Sequence, residues 1–137
     1  MSSAPKYTNG YYRLKSPVHN KVMRVHANYS VTFEDESESF EQVWYVAFDE
    51  RGISFRSCYG KYLCVEGKVF SKWYSVIADR DNCFGWEHWV METIDGEVFA
   101  LKSRWDRYMT VNKDGLPNAD KKSVTEQEEF MLVKTSN

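Results

Sequence analysis

The sequence predicts an all-β chain of about twelve short strands, arranged as three related units around a common axis. Three observations carry this. The first is a strand–turn–strand phrase that recurs. In residues 52–66 (GISFRSCYGKYLCVE), Ile53, Phe55 and Ser57 alternate with Ser54 and Arg56, the period-two pattern of a half-buried strand. Cys58-Tyr59-Gly60-Lys61 reverses the chain, with Gly60 free to take a positive φ, and Tyr62, Leu63 and Val65 form the return. Residues 96–111 repeat the frame: Phe99, Leu101 and Ser103, a turn at Arg104-Trp105-Asp106-Arg107, then Tyr108-Met109-Thr110-Val111. A worn copy opens the chain, with Tyr12, Leu14 and Ser16, a turn holding Pro17 and one extra residue, and Val22-Met23-Arg24-Val25. The second observation is spacing. The intervals Phe33 to Trp44, Ala78 to Trp89 and Ala119 to Phe130 are each 11 residues, and an acidic residue follows the first member each time: Glu34, Asp79, Asp120. The third is that no segment of ten or more residues shows a helical period.

Taken in order, residues 1–9 form a polar lead-in to a single domain over residues 10–137, with repeats at about 10–49, 51–93 and 95–133. Repeat one is expected to hold strands at 11–16, 21–25, 31–33 and 42–48, with an acidic, solvated loop at 34–41. Asp95-Gly96 and Asp114-Gly115 mark turns in repeat three, and Pro117 belongs to a short strand best placed at an edge. One repeat cannot bury its own apolar face, so three must close together. Leu14, Phe55 and Leu101 would form one layer, Met23, Leu63 and Met109 a second, and Trp44, Trp89 and Phe130 a third. At about 1.5–3 kcal/mol for each large side chain fully buried, these supply much of the driving force. That architecture is a β-trefoil.

Composition narrows function by exclusion. A net charge of −2 gives no global field for nucleic acid or an acidic membrane, although a local basic patch is compatible with it. Cys58, Cys64 and Cys83 form an odd set without C-x-x-C spacing, the pattern of reduced thiols in a cytoplasmic protein rather than a disulfide framework or zinc site. The first residues show no apolar leader and no run approaches a membrane span. Asn28-Tyr29-Ser30 matches a glycosylation sequon, read as coincidence in such a chain. There is no G-x-S-x-G, phosphate-binding glycine loop or H-E-x-x-H, and His19, His26 and His88 lack ligand spacing. A non-enzymatic protein without metal or cofactor is expected.

Arg56-Ser57-Cys58-Tyr59-Gly60-Lys61-Tyr62-Leu63, with Ala78-Asp79-Arg80 and Gly85-Trp86-Glu87-His88-Trp89, resembles the fascin-like, actin-crosslinking β-trefoil family. Its repeats carry a similar R-S-x-x-G-K-Y-L hairpin followed by an A-x-R…G-x-W-E-x-F-like strand. The resemblance spans nearly the whole chain, strongest in repeat two and weakest in repeat one, and it implies the trefoil fold and a cytoskeletal partner. Fascins string several trefoils together, whereas this chain holds one, so crosslinking would need a dimer or two binding faces. Single-trefoil hisactophilins are crowded with histidine, and this chain has 3. Gln42-Val43-Trp44 matches the Q-x-W signature of ricin-B-type lectins, but Glu87-His88-Trp89 and Glu128-Glu129-Phe130 do not, so the tripeptide reads as the core strand of the repeat.

Two features stand out as candidate binding sites. The interval from Val65 to Ala78 is 13 residues, against 8 from Val25 to Phe33 and from Val111 to Ala119, so repeat two carries an insertion of 5. Its excess includes Lys68, Lys72, Trp73 and Tyr74, where aromatic rings between lysines could stack on a sugar or anchor a protein, or else fold back over a barrel end. Basic residues also fall at matched repeat positions: Lys15, Arg56 and Lys102 before the repeat serine, and Lys21, Lys61 and Arg107 before the returning strand. Around one axis they would build a positive surface suited to acidic actin filaments, unless their stems merely cover aromatic rings. Trp105 is the best exposed aromatic in these turns, with Tyr59 and His19 as its repeat mates. The sequence therefore reads as a binding module for actin filaments or another protein partner, the alternative being a glycan held by Trp73, Tyr74 or Trp105. A protease-inhibitor or scaffold role finds no distinctive loop.

Overall fold

A computed structural model of the chain describes residues 7–67, 74–82 and 87–135. Twelve strands are present among them: β1 (Gly10–Ser16), β2 (Lys21–Val25), β3 (Val31–Glu34), β4 (Trp44–Asp49), β5 (Gly52–Arg56), β6 (Tyr62–Gly67), β7 (Tyr74–Arg80), β8 (Val90–Asp95), β9 (Val98–Lys102), β10 (Tyr108–Val111), β11 (Pro117–Lys121) and β12 (Met131–Lys134). Six strands make a barrel, because β12 pairs β1, β1 pairs β4, β4 pairs β5, and β8 pairs β9. Two seams complete the ring as bridges, Ile53 with Trp89 and Phe99 with Phe130. The equivalent step in repeat one lies inside a ladder, where Tyr12 faces Trp44. Tyr12, Ile53 and Phe99 thus hold one position of the threefold repeat, as their spacing predicts.

The other six strands form three hairpins, β2–β3, β6–β7 and β10–β11, that cap the barrel. Each reaches to the next repeat through backbone: Ala78 N–H donates to Tyr29 O at 3.0 Å, and Phe33 N–H to Gly115 O at 2.7 Å. The three predicted layers meet inside one apolar cluster, and Leu14, Phe55, Leu101, Met23, Leu63, Met109, Trp44, Trp89 and Phe130 are all fully buried. This is the pseudo-threefold centre of a β-trefoil.

The turns from barrel to hairpin share a backbone solution. Gly60 takes φ 78°, while Asn20 and Asp106 hold its place in the other repeats at 55° and 64°. Two expectations are corrected. Residues 40–42 form a 3₁₀ turn before β4 begins at Trp44, since Ser39 Oγ accepts the Glu41 N–H at 3.2 Å and starts a turn rather than a strand. Pro117 is not on an edge strand, because β11 runs between β10 and β7. As the first residue of its strand, it still forfeits no interior ladder bond.

Gln42 explains the lone Q-x-W match. It is buried, its Nε2 donates to Asp35 O at 2.8 Å, and its Oε1 accepts from Ser37 N at 2.7 Å. The side chain thus anchors the base of the acidic loop, while Asp35, Glu36 and Glu38 stand in solvent as expected. Glu128 plays the matching part in repeat three, accepting from Thr125 N and Thr110 Oγ1 at 2.6 and 2.5 Å.

Candidate functional site

Strand alternation decides which side chains the barrel shows to solvent. In β1, Tyr12, Leu14 and Ser16 point inward, so Tyr11 points out; in β4, Trp44 and Val46 point inward, so Tyr45 points out. Register then aligns the outward residues across four strands: Tyr11 opposite Tyr45, Tyr45 opposite Arg56, and Arg56 opposite Tyr62. The Tyr11 and Tyr45 rings meet edge-on at 5.2 Å. The Arg56 guanidinium lies 5.9 Å from the Tyr62 ring centre, within cation–π range. Phe40, leading the 3₁₀ turn, is 73% exposed, the most exposed large apolar residue among those described. Tyr11, Phe40, Val43, Tyr45, Arg56 and Cys58 line an open cleft of about 590 Å³ between repeats one and two. Rings and a cation exposed side by side, rather than singly, mark an interaction surface.

An ion network braces one edge of this cleft. Glu41 turns away from Phe40 and accepts from Arg24 Nε at 2.8 Å, from Arg24 Nη2 at 2.6 Å, and from the Tyr59 hydroxyl. Arg24 Nη1 also donates to Glu34 Oε1 at 2.8 Å, and Thr32 Oγ1 to Glu34 Oε2 at 2.7 Å. The Tyr59 and Arg24 bonds hold the Glu41 carboxyl below its ordinary value, and those from Thr32 and Arg24 do the same for Glu34. Donating to a carboxylate pushes the Tyr59 phenol up to about 12. Because both carboxyls are depressed, their contribution to stability is present above about pH 4.3, the unfolded-state value, and is lost as pH falls through the lower folded values. The melting temperature should therefore fall more steeply on acidification below about pH 4.3 in the wild type than in Arg24→Met. Parallel curves in a calorimetric pH series would detach this network from acid stability.

Tyr29 stands next to the network with φ 71°, a conformation costly for an aromatic residue at roughly 1–2 kcal/mol. Gly115 occupies the corresponding place in repeat three at φ 79°. The Tyr29 ring meets Tyr59 edge-on at 6.5 Å, and Lys61 Nζ lies 5.7 Å from its centre. The strained aromatic thus continues the aromatic surface past the Tyr59 turn.

The structure disposes the predicted basic sets differently from a free positive ring. Lys21 pairs with Asp35 at 3.3 Å, Lys61 with Asp81, and Lys102 with Asp106 at 2.8 Å and Glu92 at 3.9 Å. Lys102 Nζ also sits 5.5 Å from the Tyr108 ring centre, so its stem lies along an aromatic, as the alternative reading of these lysines expects. Arg107 is half-buried beside its turn and contacts Asp106 O at 3.4 Å. Trp105 is corrected as an exposed platform: it packs partly buried against the core. Tyr59 is 41% exposed but holds Glu41. His19 is turned inward, its Nε2 2.8 Å from Val111 O. Tyr74 opens β7 instead of lying in a loop, and Lys68, Lys72 and Trp73 lie outside the described residues. Tyr11, Phe40 and Tyr45 were not singled out by the sequence; the one available signal was an aromatic at an outward strand position, Tyr45 beside inward Trp44.

Among the described residues no three His, Cys, Asp or Glu side chains gather as metal ligands. No helix there is long and apolar enough to cross a membrane.

Comparison with known proteins agrees with this architecture. Among solved structures, the chain is similar to a designed threefold-symmetric protein, ThreeFoil, with TM-score 0.78 and 18% identity over 91% of this chain and 99% of that one. It is similar to SeviL bound to asialo-GM1 saccharide, with TM-score 0.77 and 18% identity over 93% and 99% of the two chains. A third is the Macrolepiota procera ricin B-like lectin in complex with lactose, with TM-score 0.78 and 13% identity over 94% and 98%. At these identities the likeness speaks to fold. No curated protein matches. The Fascin domain family matches residues 18–132, reaching from the first turn to the last strand. The threefold core, the shared hairpin turns and this match together place the chain in the fascin-domain family of β-trefoil proteins.

Proposed function

We propose that this chain is a non-catalytic binding module that docks on actin filaments through the Tyr11–Phe40–Tyr45–Arg56 face. Membership of the fascin-domain family is the observation that carries the choice of ligand. The face supports docking on a protein, because tyrosine, phenylalanine and arginine are the residues that anchor interfaces, and here they lie in one row. Arg56 has no carboxylate partner among the described residues, so its charge remains available to an acidic filament. With Lys21, Lys61 and Lys102 already paired, ring burial supplies most of the affinity, and binding should weaken only modestly as salt rises. A filament ligand places the protein in the cytoplasm, and a single face of this kind crosslinks filaments only as a dimer.

A second reading, a glycan ligand, is favoured by one observation: the same exposed rings border a cleft of about 590 Å³, room for one or two sugar rings stacked on Tyr45 and Phe40. Cosedimentation with F-actin across a salt series, run beside a glycan array, separates the two. Pelleting with a shallow salt dependence is the expected result. Failure to pellet at low salt, with binding on the array, would replace the filament by a saccharide.

A further inference from the structure

We propose a second ligand site, for a small neutral polyhydroxylated molecule such as a mono- or disaccharide, in the cleft where β7, β10 and β11 converge on the cap. This cleft has a volume of about 710 Å³ and lies apart from the aromatic face. Its floor comes from β11, where Ala119 faces the core and Asn118 and Asp120, two residues apart, both face the cleft. Asn118 lies opposite Ser75 of β7 and Thr110 of β10, at the junction of the two hairpins. Both side chains hold an Oδ1 that is withdrawn from solvent and accepts no hydrogen bond. A buried acceptor left without a donor is costly, so such atoms call for a partner.

The threefold repeat shows what is missing. The acidic residue after the repeat's hairpin has a partner in the first two copies. Glu34 receives Arg24 at 2.8 Å, and Asp79 receives the Cys64 thiol at 3.8 Å and Arg80 at 3.2 Å. In the third copy the residue corresponding to Arg24 and Cys64 is Thr110, and its hydroxyl donates to Glu128 at 2.5 Å instead. Asp120 is thereby left with an open acceptor beside that of Asn118.

The chemistry of the lining selects the ligand. Two acceptors two residues apart on one strand suit a molecule with neighbouring hydroxyl donors. Asp120 keeps its second carboxylate oxygen for the cleft it lines, and a half-turn about the soft, two-fold terminal torsion of Asn118 exchanges its amide nitrogen for its oxygen there. Lys121 on the rim offsets the charge of Asp120, so the local balance is neutral and favours an uncharged ligand over an amine or a phosphate. Leu116, 53% exposed, and Ile77 give an apolar wall for the carbon face of a sugar ring.

The test is amide chemical-shift mapping on the full chain, titrated with glucose, galactose, mannose, N-acetylglucosamine and lactose at millimolar concentration. Saturable shifts centred on Ser75, Asn118 and Lys121 are expected for at least one sugar, with Asn118→Ala and Asp120→Ala each weakening it about fivefold to tenfold. Both side chains line the cleft and not the core beside Ala119, so the variants should keep the wild-type spectrum elsewhere, which the same data verify. Shifts centred on Tyr45 and Arg56, or no saturable shift with any of the five sugars, would overturn the assignment. Filament cosedimentation is a separate measurement, so either proposal can fail without the other.

Discussion

Gly52→Ala is expected to lower folding stability by about 3–5 kcal/mol, a large share of the total for a domain of this size. Gly52 closes the two-residue turn between β4 and β5, opposite Asp49, and takes φ 134°, outside the range of L side chains. A Cβ there would lie 2.2 Å from the Trp89 carbonyl oxygen. That carbonyl accepts the Ile53 N–H at 2.8 Å while Trp89 N–H donates to Ile53 O at 2.8 Å, and this pair of bonds is the seam between β5 and β8. A methyl group therefore forces apart the bridge that closes the barrel wall within repeat two, between its first strand and the residue leading into its last. Gly96→Ala is the control. Its φ of 58° also disfavours a side chain, but no atom lies within 4 Å of the added Cβ, so only about 1–2 kcal/mol should be lost. Chemical unfolding of the three proteins decides it, and equal losses at the two glycines would mean that the seam yields to the methyl group.

Tyr45→Ala combined with Arg56→Glu should reduce filament affinity about thirtyfold or more while leaving the fold intact. Tyr45 touches Tyr11 on one side and lies opposite Arg56 on the other, so the double substitution removes the centre of the row and reverses its charge. Both side chains face away from the core formed by Trp44, Val46 and Phe55, which explains the expected stability. Lys61→Glu with Arg107→Glu provides the contrast. Lys61 already faces Asp81, so its reversal sets two carboxylates together and is expected to cost some stability but little affinity. Cosedimentation isotherms of both double variants discriminate between the surfaces. Loss of pelleting in the lysine–arginine variant with retention in the tyrosine–arginine variant would move docking to the basic turns.

The fold was legible because its signals are linear. Alternation along 52–56 and 98–102 picks out Ile53, Phe55, Phe99 and Leu101 for the core, although Ser54 and Ala100 between them are buried as well. The interval of 11 residues ending at Trp44, Trp89 and Phe130 states that the unit recurs. The start of β4 was misplaced for a local reason: Gln42 continues the alternation toward Trp44, yet its amide is taken by the backbone of the acidic loop. The site was much less legible. Lys61, Lys21 and Lys102 look equally free in one dimension, and Trp105 looks exposed because it occupies a turn.

By itself, then, the sequence determined the trefoil and its threefold core, since apolar periodicity and repeat spacing are properties of the chain alone, while the phrase Arg56–Leu63 carried the resemblance to fascin-like domains. Only the tertiary structure decided which surface is available. Asp35 and Asp81 reach Lys21 and Lys61 from the ends of neighbouring hairpin strands, so two of the three basic residues before the returning strands are paired. Register between β1, β4 and β5 gathers Tyr11, Tyr45 and Arg56 from three separate stretches into one row. Cross-strand neighbours are set by pairing geometry, and pairing exists only once the barrel has closed.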